Sequence, residues 1–270
     1  MRAWFLSDIH LRGRADKRVG TLTRFITRLA NGEHGEVSHL FLVGDIFDLW
    51  VGGHEEFVQE YPELIESIRA LRAKPVEIHY FEGNHDLHLS RFWRDRLGVV
   101  THVEPQYFEL DGFTVRVEHG DQMNPDDRGY LFLRSFLRTS VMTWIANEIP
   151  GAVVKEIGRM MSRTSRKWTH RYFKRSGDVV EKIRTMIRVH AEKAYADRPF
   201  DFIVTGHVHV HDEQRMTPPS AERAVTSLNL GCWPGADRFE RSDERPLAYV
   251  LEVKRDPNGH KSGTVTPVPV

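Results

Sequence analysis

Cysteine is nearly absent from this 270-residue chain, where Cys232 stands alone. A disulfide framework is thereby excluded, and so is a structural zinc site clamped by thiolates. Long apolar runs are also missing: nothing approaches the roughly 20 consecutive residues that a membrane-spanning helix needs. Internal repeats are absent, and the one biased segment is a Pro/Thr/Gly-rich tail after Arg255, which is expected to fray. Net charge is missing as well, since 38 Lys/Arg balance 38 Asp/Glu, so any charged surface must come from local clustering. With 40% hydrophobic and 28% charged residues the composition is that of a folded globular protein rather than a disordered one. The length suits one sizeable core with an insertion, or two small domains. Met1-Arg2 leads straight into a strand-like run, so no cleavable leader is expected, and cytosolic residence is the default.

Five short clusters of metal-binding residue types are present. They are Asp8-Ile9-His10, Gly44-Asp45-Ile46-Phe47-Asp48, Gly83-Asn84-His85-Asp86, His119-Gly120-Asp121 and Gly206-His207-Val208-His209. Each follows a strand-like run: Ala3-Trp4-Phe5-Leu6, Leu40-Phe41-Leu42-Val43, the alternating Val76–Phe81, Phe113–Val117, and Phe202-Ile203-Val204. Polar ligand types therefore fall where strands end, which is where an open α/β sheet places its site. For a single cluster, chance capping residues would explain the pattern; for five in succession they do not.

Carboxylate, carboxamide and imidazole together suit borderline-hard divalent ions, Mn²⁺ first, with Fe²⁺ or Zn²⁺ as alternatives. Two ions need a shared anionic bridge, and Asp45, in the turn after its strand, is the natural candidate. The expected sets are Asp8, His10, Asp45 and His209 for one ion, and Asp45, Asn84, His119 and His207 for the other. Such a pair lies about 3.5–4 Å apart and clamps the attacking and leaving oxygens of an in-line displacement.

In this order the motifs D-x-H, G-D-x-x-D, G-N-H-D, H-G-D and G-H-x-H resemble the calcineurin-like metallophosphoesterase superfamily, over residues 8 to 209. The resemblance implies an α/β fold, a β-sandwich flanked by helices, and the same ligand assignments. It implies catalytic roles for Asn84 and His85, with His85 assisting the leaving oxygen and Asp86 holding the His85 ring. A narrower resemblance, to the UDP-2,3-diacylglucosamine pyrophosphohydrolases of lipid A synthesis, is carried by His119–Tyr130, Met161–Lys167 and Asn229–Trp233. It implies a nucleotide-lipid substrate cleaved to UMP and diacylglucosamine 1-phosphate at an anionic membrane surface, on the cytoplasmic face of the inner membrane. Asn84, His85, Asp127, Ser165 and His207 would then contact that substrate. Two departures stand out: that family has Arg where His85 stands here, and Thr169 and Tyr172 replace its Asn and Lys after Ser165.

The balanced charge hides an asymmetry, because residues 128–198 hold 16 Lys/Arg against 6 Asp/Glu. This basic stretch interrupts the motif series and carries helical apolar spacing at Leu131–Ile145, Val153–Met161 and Val179–His190, with Ile149-Pro150-Gly151 as a break. The expected organisation is a metallophosphoesterase core, 1–127 and 199–270, interrupted by a basic helical cap, 128–198. Within the core, Val19–Ala30, Glu55–Arg72 and Leu89–Leu97 read as helices and Val103–Glu118 as a hairpin turned at Asp111-Gly112. The cap could be plain amphipathic packing, a lipid-facing surface that joins Phe132, Phe136, Trp144, Met160 and Met161 to Arg159, Arg163, Arg166, Lys167, Arg171, Lys174 and Arg175, or, less favoured, a nucleic-acid grip.

Most of the fifteen histidines lie outside the motifs and read as surface or packed residues, with His54 and His88 the ones that could line the pocket. Asp48 suits either an outer partner for a ligand or a helix N-cap, and Trp50 suits packing. The functional expectation is a two-metal phosphohydrolase acting on the nucleotide lipid. A broad-specificity phosphodiesterase acting on cyclic nucleotides or nucleotide diphosphates shares every core ligand and is the alternative. A non-enzymatic scaffold is disfavoured by the retention of the whole ligand set.

Overall fold

The computed structural model of the chain describes residues 1–158, 179–219, 221–235, 245–255 and 261–270. Side-chain parity decides which layer each strand residue enters. In β1 (Arg2–Leu6), Ala3 and Phe5 face one way while Trp4 and Leu6 face the other. β2 (His39–Val43) divides Phe41 and Val43 from Leu40 and Leu42, and β4 (Glu77–Phe81) divides Phe81 from Ile78 and Tyr80. These strands run parallel in the order β1-β2-β4, and both faces are covered, as parallel strands require. β6 (Val100–His102) adds to one side of this sheet, and β12 (Leu247–Arg255) and β13 (Lys261–Pro269) to the other, while the short β3 (Trp50–Val51) and β5 (Asp86–Leu87) pair with each other.

A second sheet has the order β10 (His211–Met216), β11 (Val225–Leu230), β9 (Phe202–Thr205), β8 (Phe113–Val117) and β7 (Gln106–Leu110). The two sheets face each other across Phe5, Phe41, Phe81, Val115, Val204 and Leu228. On the outer face of the first sheet, α1 (Lys17–Ala30) and α3 (Pro62–Arg72) bury Leu22, Phe25, Ile26, Leu64 and Ile68 against Trp4, Leu40 and Ile78. On the outer face of the second, α7 (Val179–Asp197) lays Ala191, Ala194 and Tyr195 against Ile203 and Val225. The architecture is thus the helix-flanked β-sandwich of the α/β class that the motif resemblance implies.

The hairpin forms where the Asp111-Gly112 pair predicts it. Both residues take positive φ, 51° and 88°, which is the backbone of a two-residue type I′ turn. Elsewhere the structure departs from expectation. The single helix predicted over Glu55–Arg72 is two, α2 (Glu55–Val58) and α3, because Pro62 cannot donate within a continuing helix and opens a new one. Leu89–Leu97 contains only a short π-helical stretch, Ser90–Arg94. The tail from Lys261 onward does not fray: β13 pairs antiparallel with β12 from Lys261 to Pro269. Its prolines are tolerated because β13 is an edge strand.

Between β8 and β9 the chain forms α4 (Arg128–Leu137), α5 (Ser140–Glu148) and α6, described over residues 151–158. Leu131–Ile145 is broken into α4 and α5 by Thr139, whose side chain caps α5 by accepting from the Met142 N–H. Ser165, the basic and apolar residues from Arg159 to Arg175, and Thr169 and Tyr172 lie outside the described residues. We propose the division at 128 and 198; α7 lies inside it but packs on the core, Ile183 and Ile187 clustering with Met123 while Ala191, Ala194 and Tyr195 meet the second sheet. Among the described residues, no helix is long and apolar enough to cross a membrane.

Phe5 is fully buried and stacks on Phe41 at 4.8 Å between ring centroids. Phe5→Ala should cost about 3–5 kcal/mol, seen in urea titration as a lower midpoint with an unchanged slope. A wild-type midpoint would mean that the stack between the sheets contributes little.

Candidate metal centre

All five clusters sit just past the C-terminal ends of strands β1, β2, β4, β8 and β9. The backbone there is forced. Asp8, His10, Asp45, His207 and His209 have φ of 49°, 50°, 52°, 69° and 59°, a left-handed conformation costing about 1–3 kcal/mol for a residue with a side chain. Cross-links between the loops hold it. Asp8 N–H donates to Gly44 O (3.1 Å), His10 N–H to Asp45 O (3.0 Å), Gly206 N–H to His119 O (2.9 Å) and Trp233 N–H to Asp8 O (3.2 Å). The motif glycines supply close approach: a Cβ on Gly83 would overlap the Asp45 carboxylate, and one on Gly206 would overlap Ser7 and Asp8.

The seven predicted ligand side chains converge in two sets. In one, His209 Nε2 lies 3.3 Å from Asp8 Oδ1, and His10 Nε2 lies 3.1 Å from His209 Nε2. In the other, Asn84 Oδ1 lies 3.0 Å from His207 Nδ1 and 3.4 Å from His119 Nε2. Asp45 Oδ2 faces both sets, 3.8 Å from His10 Nε2 and 3.6 Å from His119 Nε2. Its other oxygen accepts the His85 N–H at 2.9 Å, which fixes the carboxylate plane.

This donor set fits a divalent cation. Asp8 Oδ1 is buried and accepts no hydrogen bond, although an unmatched buried acceptor costs about 1–3 kcal/mol. Burial alone would raise the Asp8 carboxyl, but His209, His119 and the Ser7 hydroxyl outweigh it and hold the group below its usual range. Burial, with His85, His209 and His119 alongside, pushes His10 well below the ordinary imidazole value, and burial and His119 bring His207 to about 4. His10 Nε2 and His209 Nε2, 3.1 Å apart, and the Asp8 oxygen 3.3 Å from His209 thus gather three ligand-type atoms around one point. For His119, burial works downward but Asp45, Asp8 and Asp121 raise it overall, so the second set carries the same negative field. His119 Nδ1 lies 2.9 Å from the Val43 carbonyl, an acceptor that fixes its tautomer and leaves Nε2 as the donor atom.

Around these sets the structure corrects the reading of Asp86. Its carboxylate does not touch the His85 ring. It accepts the N–H groups of Asp45 (3.1 Å), Ile46 (2.8 Å) and Gly83 (2.7 Å) and the Tyr80 hydroxyl (2.7 Å). The reason is proximity: strand ends leave backbone donors unpaired, and a buried carboxylate beside them takes those first. His85 is held instead by the Asp48 carbonyl, 2.9 Å from its Nδ1, and its ring meets His10 edge-on at 4.8 Å. Asp48 is no helix cap; its carboxylate lies 3.9 Å from Arg12 Nε. Trp50 is core, packed among Phe47, Phe57 and Trp93. His54 Nε2 meets Ala146 O at 2.7 Å and His88 Nδ1 meets Thr143 Oγ1 at 3.1 Å, so both seat α5 beside the site.

Several contributors escaped the motif reading. Asp121 accepts from Tyr130 OH (2.7 Å) and Arg134 Nε (2.8 Å), and Arg138 donates to Gly83 O (3.0 Å). Burial would raise Asp121, yet His119, Arg134 and Arg138 bring it down to about 2. These groups tie α4 to two ligand loops, and Tyr130 packs 6.1 Å from the His207 ring. The i, i+4, i+8 spacing of Tyr130, Arg134 and Arg138 on one helical face was the available signal. Asp127 caps α4, accepting the Tyr130 N–H at 3.0 Å, and is exposed.

Comparison with known proteins gives a match of residues 1–211 to the calcineurin-like phosphoesterase family. A UDP-2,3-diacylglucosamine hydrolase of Aeromonas salmonicida is 30% identical over 150 residues, 56% of this chain and 57% of that protein. The chain therefore aligns with little more than half of that relative's length. One from Aeromonas hydrophila is 27% identical over 89% of this chain and 98% of its own. Among solved structures, Vps29 of Entamoeba histolytica with zinc is 15% identical, covering 99% of each chain with a TM-score of 0.45.

Asp86→Ala would leave the buried N–H groups of Asp45, Ile46 and Gly83 without their acceptor, at about 1–3 kcal/mol apiece. A markedly lower urea midpoint is expected, together with loss of bound metal on elemental analysis. Wild-type values of both would remove Asp86 as the anchor of these loops.

Proposed function

Because this chain belongs to the calcineurin-like phosphoesterase family and is a metal-dependent phosphoesterase, we propose that it works through two divalent ions on a nucleotide lipid. The substrate is UDP-2,3-diacylglucosamine, and cleavage of its diphosphate gives UMP and diacylglucosamine 1-phosphate. The observation that carries the two-ion part is the placement of one oxygen, Asp45 Oδ2, between His10 of one donor set and His119 of the other. Mn²⁺ is the first choice of metal, with Fe²⁺ or Zn²⁺ as alternatives. When bound, the ions supply Lewis acidity and a nucleophilic water at neutral pH.

The chain's own residues then have defined tasks. Asp8, His10, Asp45 and His209 hold one ion, and Asp45, Asn84, His119 and His207 the other. Asn84 points Oδ1 at His119 and His207, which leaves its amide N–H groups for a phosphoryl oxygen. His85 donates Nδ1–H to the Asp48 carbonyl, which leaves Nε2 to face the leaving oxygen; the doubly protonated ring would give that oxygen its Nε2 proton. Asp127, Ser165 and His207 are the further substrate contacts, Asp127 through whatever acceptor capacity its capping bond leaves.

The lipid part of the reading is supported by the named activity of the relatives and by the surface of α4 and α5. There Phe132, Val141 and Trp144 are 73%, 63% and 66% exposed, on helices tied to the ligand loops. Solvent-facing aromatics at this density suit an acyl chain or an interfacial position. With the basic stretch from 128 to 198, they support a position at an anionic cytoplasmic membrane surface. His85 favours a second reading, a broad-specificity phosphodiesterase, since the lipid family carries Arg there.

Mn²⁺-dependent UMP release from UDP-2,3-diacylglucosamine, assayed beside bis-p-nitrophenyl phosphate, separates the two. Turnover of the nucleotide lipid is expected, and turnover of the small diester alone would replace the first reading by the second. Asp45→Ala should abolish both activities, and retention of either in a folded variant would remove the shared carboxylate. His85→Ala should keep its metals and slow turnover by about 10²–10⁴-fold, most for poor leaving groups. An unchanged rate would take His85 out of the reaction.

A further inference from the structure

At the other end of the first sheet lies a histidine cluster that the phosphoesterase centre does not use. His39 opens β2 directly opposite Glu77 of β4, and His79 stands two residues beyond Glu77, hence on the same face. One nitrogen or oxygen from each of His39, Glu77 and His79 lies within 4.8 Å of the others. His79 Nε2 is 3.5 Å from Glu77 Oε2.

The hydrogen bonds around the trio set up its donor atoms. The Ser38 hydroxyl spends its proton on the Arg2 carbonyl (2.8 Å), so it can only accept from His39 Nδ1–H at 3.0 Å, and His39 Nε2 is left with a lone pair. His79 Nδ1 is engaged by His102 Nε2 at 3.0 Å, which leaves Nε2 as its one remaining nitrogen. That Nε2 is buried and has no hydrogen-bond partner, an arrangement that costs about 1–3 kcal/mol unless something else fills it. Phe41 stacks on the His79 ring at 5.0 Å and Phe108 meets it T-shaped at 4.8 Å, so the ring is held in place with its Nε2 still available. The Glu77 side chain is 70% exposed and that of His79 6%, giving an entry from solvent on one side and a fixed ligand on the other. Burial and the neighbouring His102 and His39 hold His79 at about 3, and burial holds His39 below its usual value, so both rings are neutral at physiological pH.

We infer that His39, Glu77 and His79 form a further divalent-cation site of the zinc class, separate from the phosphoesterase centre. Two imidazole nitrogens and one carboxylate oxygen are the donor set of borderline ions such as Zn²⁺, with water completing a tetrahedron. His102 is the outer partner that orients His79. The site bridges the first residues of β2 and β4, about 13 Å of strand from the ends that carry Asp45 and Asn84, at ~3.3 Å per residue. It does not depend on the nucleotide-lipid reading.

The test is equilibrium dialysis of the full chain against Zn²⁺, followed by elemental analysis and phosphodiester assay. Glu77→Ala and His39→Ala should each hold one zinc fewer than the wild type and keep their hydrolytic activity. Equal zinc content in wild type and both variants overturns the site, whatever the unpartnered nitrogen then binds. Should His39→Ala fail to fold, Glu77→Ala decides, because its side chain faces solvent. Asp45→Ala, run in parallel, loses zinc from the other centre, so failure there and failure here give different counts.

Discussion

The position of Asp45 depends on a carboxylate sealed behind it, out of reach of solvent. Asp86, fully buried, collects the backbone N–H groups that β2 and β4 leave unpaired where they end, and so fastens the Asp45 turn to the Gly83 turn. With that tie in place, Asp45 has one oxygen committed to the His85 N–H and the other directed between the two histidine sets. The left-handed residues of the site are tolerable for the same reason. Each sits in a loop cross-linked by backbone hydrogen bonds to another ligand loop, so the strain of one turn is held by its neighbours.

Tertiary contact explains what could and could not be read in advance. Strand ends and ligand types are local properties, and a D-x-H or G-N-H-D motif carries its own turn. The Asp111-Gly112 hairpin is equally local. Asp86, by contrast, looks in sequence like the partner of its neighbour His85, and only folding brings it beside the donors at Asp45 and Ile46. Arg138 lies more than fifty residues from Gly83, and its contact is set by how α4 docks. The C-terminal strand is hidden in the sequence for a related reason: prolines count against a strand in general, and only an edge position, known once the sheet order is known, admits them.

The helices between β8 and β9 are coupled to the centre by charge as well as by packing. Asp121, one residue past the His119-Gly120 pair, holds Tyr130 and Arg134, and Arg138 reaches the Gly83 carbonyl. One face of α4 therefore reads the state of two ligand loops while its other face shows Phe132 to solvent. The apolar surface and the hydrolytic centre are parts of one mechanical unit, joined through buried guanidinium groups that cannot lose their charge.

The candidate centre draws its proposed ligands from both layers of the sandwich. Asp8, His10, Asp45 and Asn84 follow strands of the six-stranded sheet, whereas His119, His207 and His209 follow strands of the five-stranded one. All the carboxylates thus ride on one sheet, and the other brings imidazoles alone. The spacing between these halves is set by the aromatic filling that crosses between the sheets, Phe41 and Phe81 against Phe108. The hydrophobic core acts as the calliper of the metal centre. A substitution deep between the sheets, far from any ligand, would be felt there as a change in bite, and so in which ion fits best.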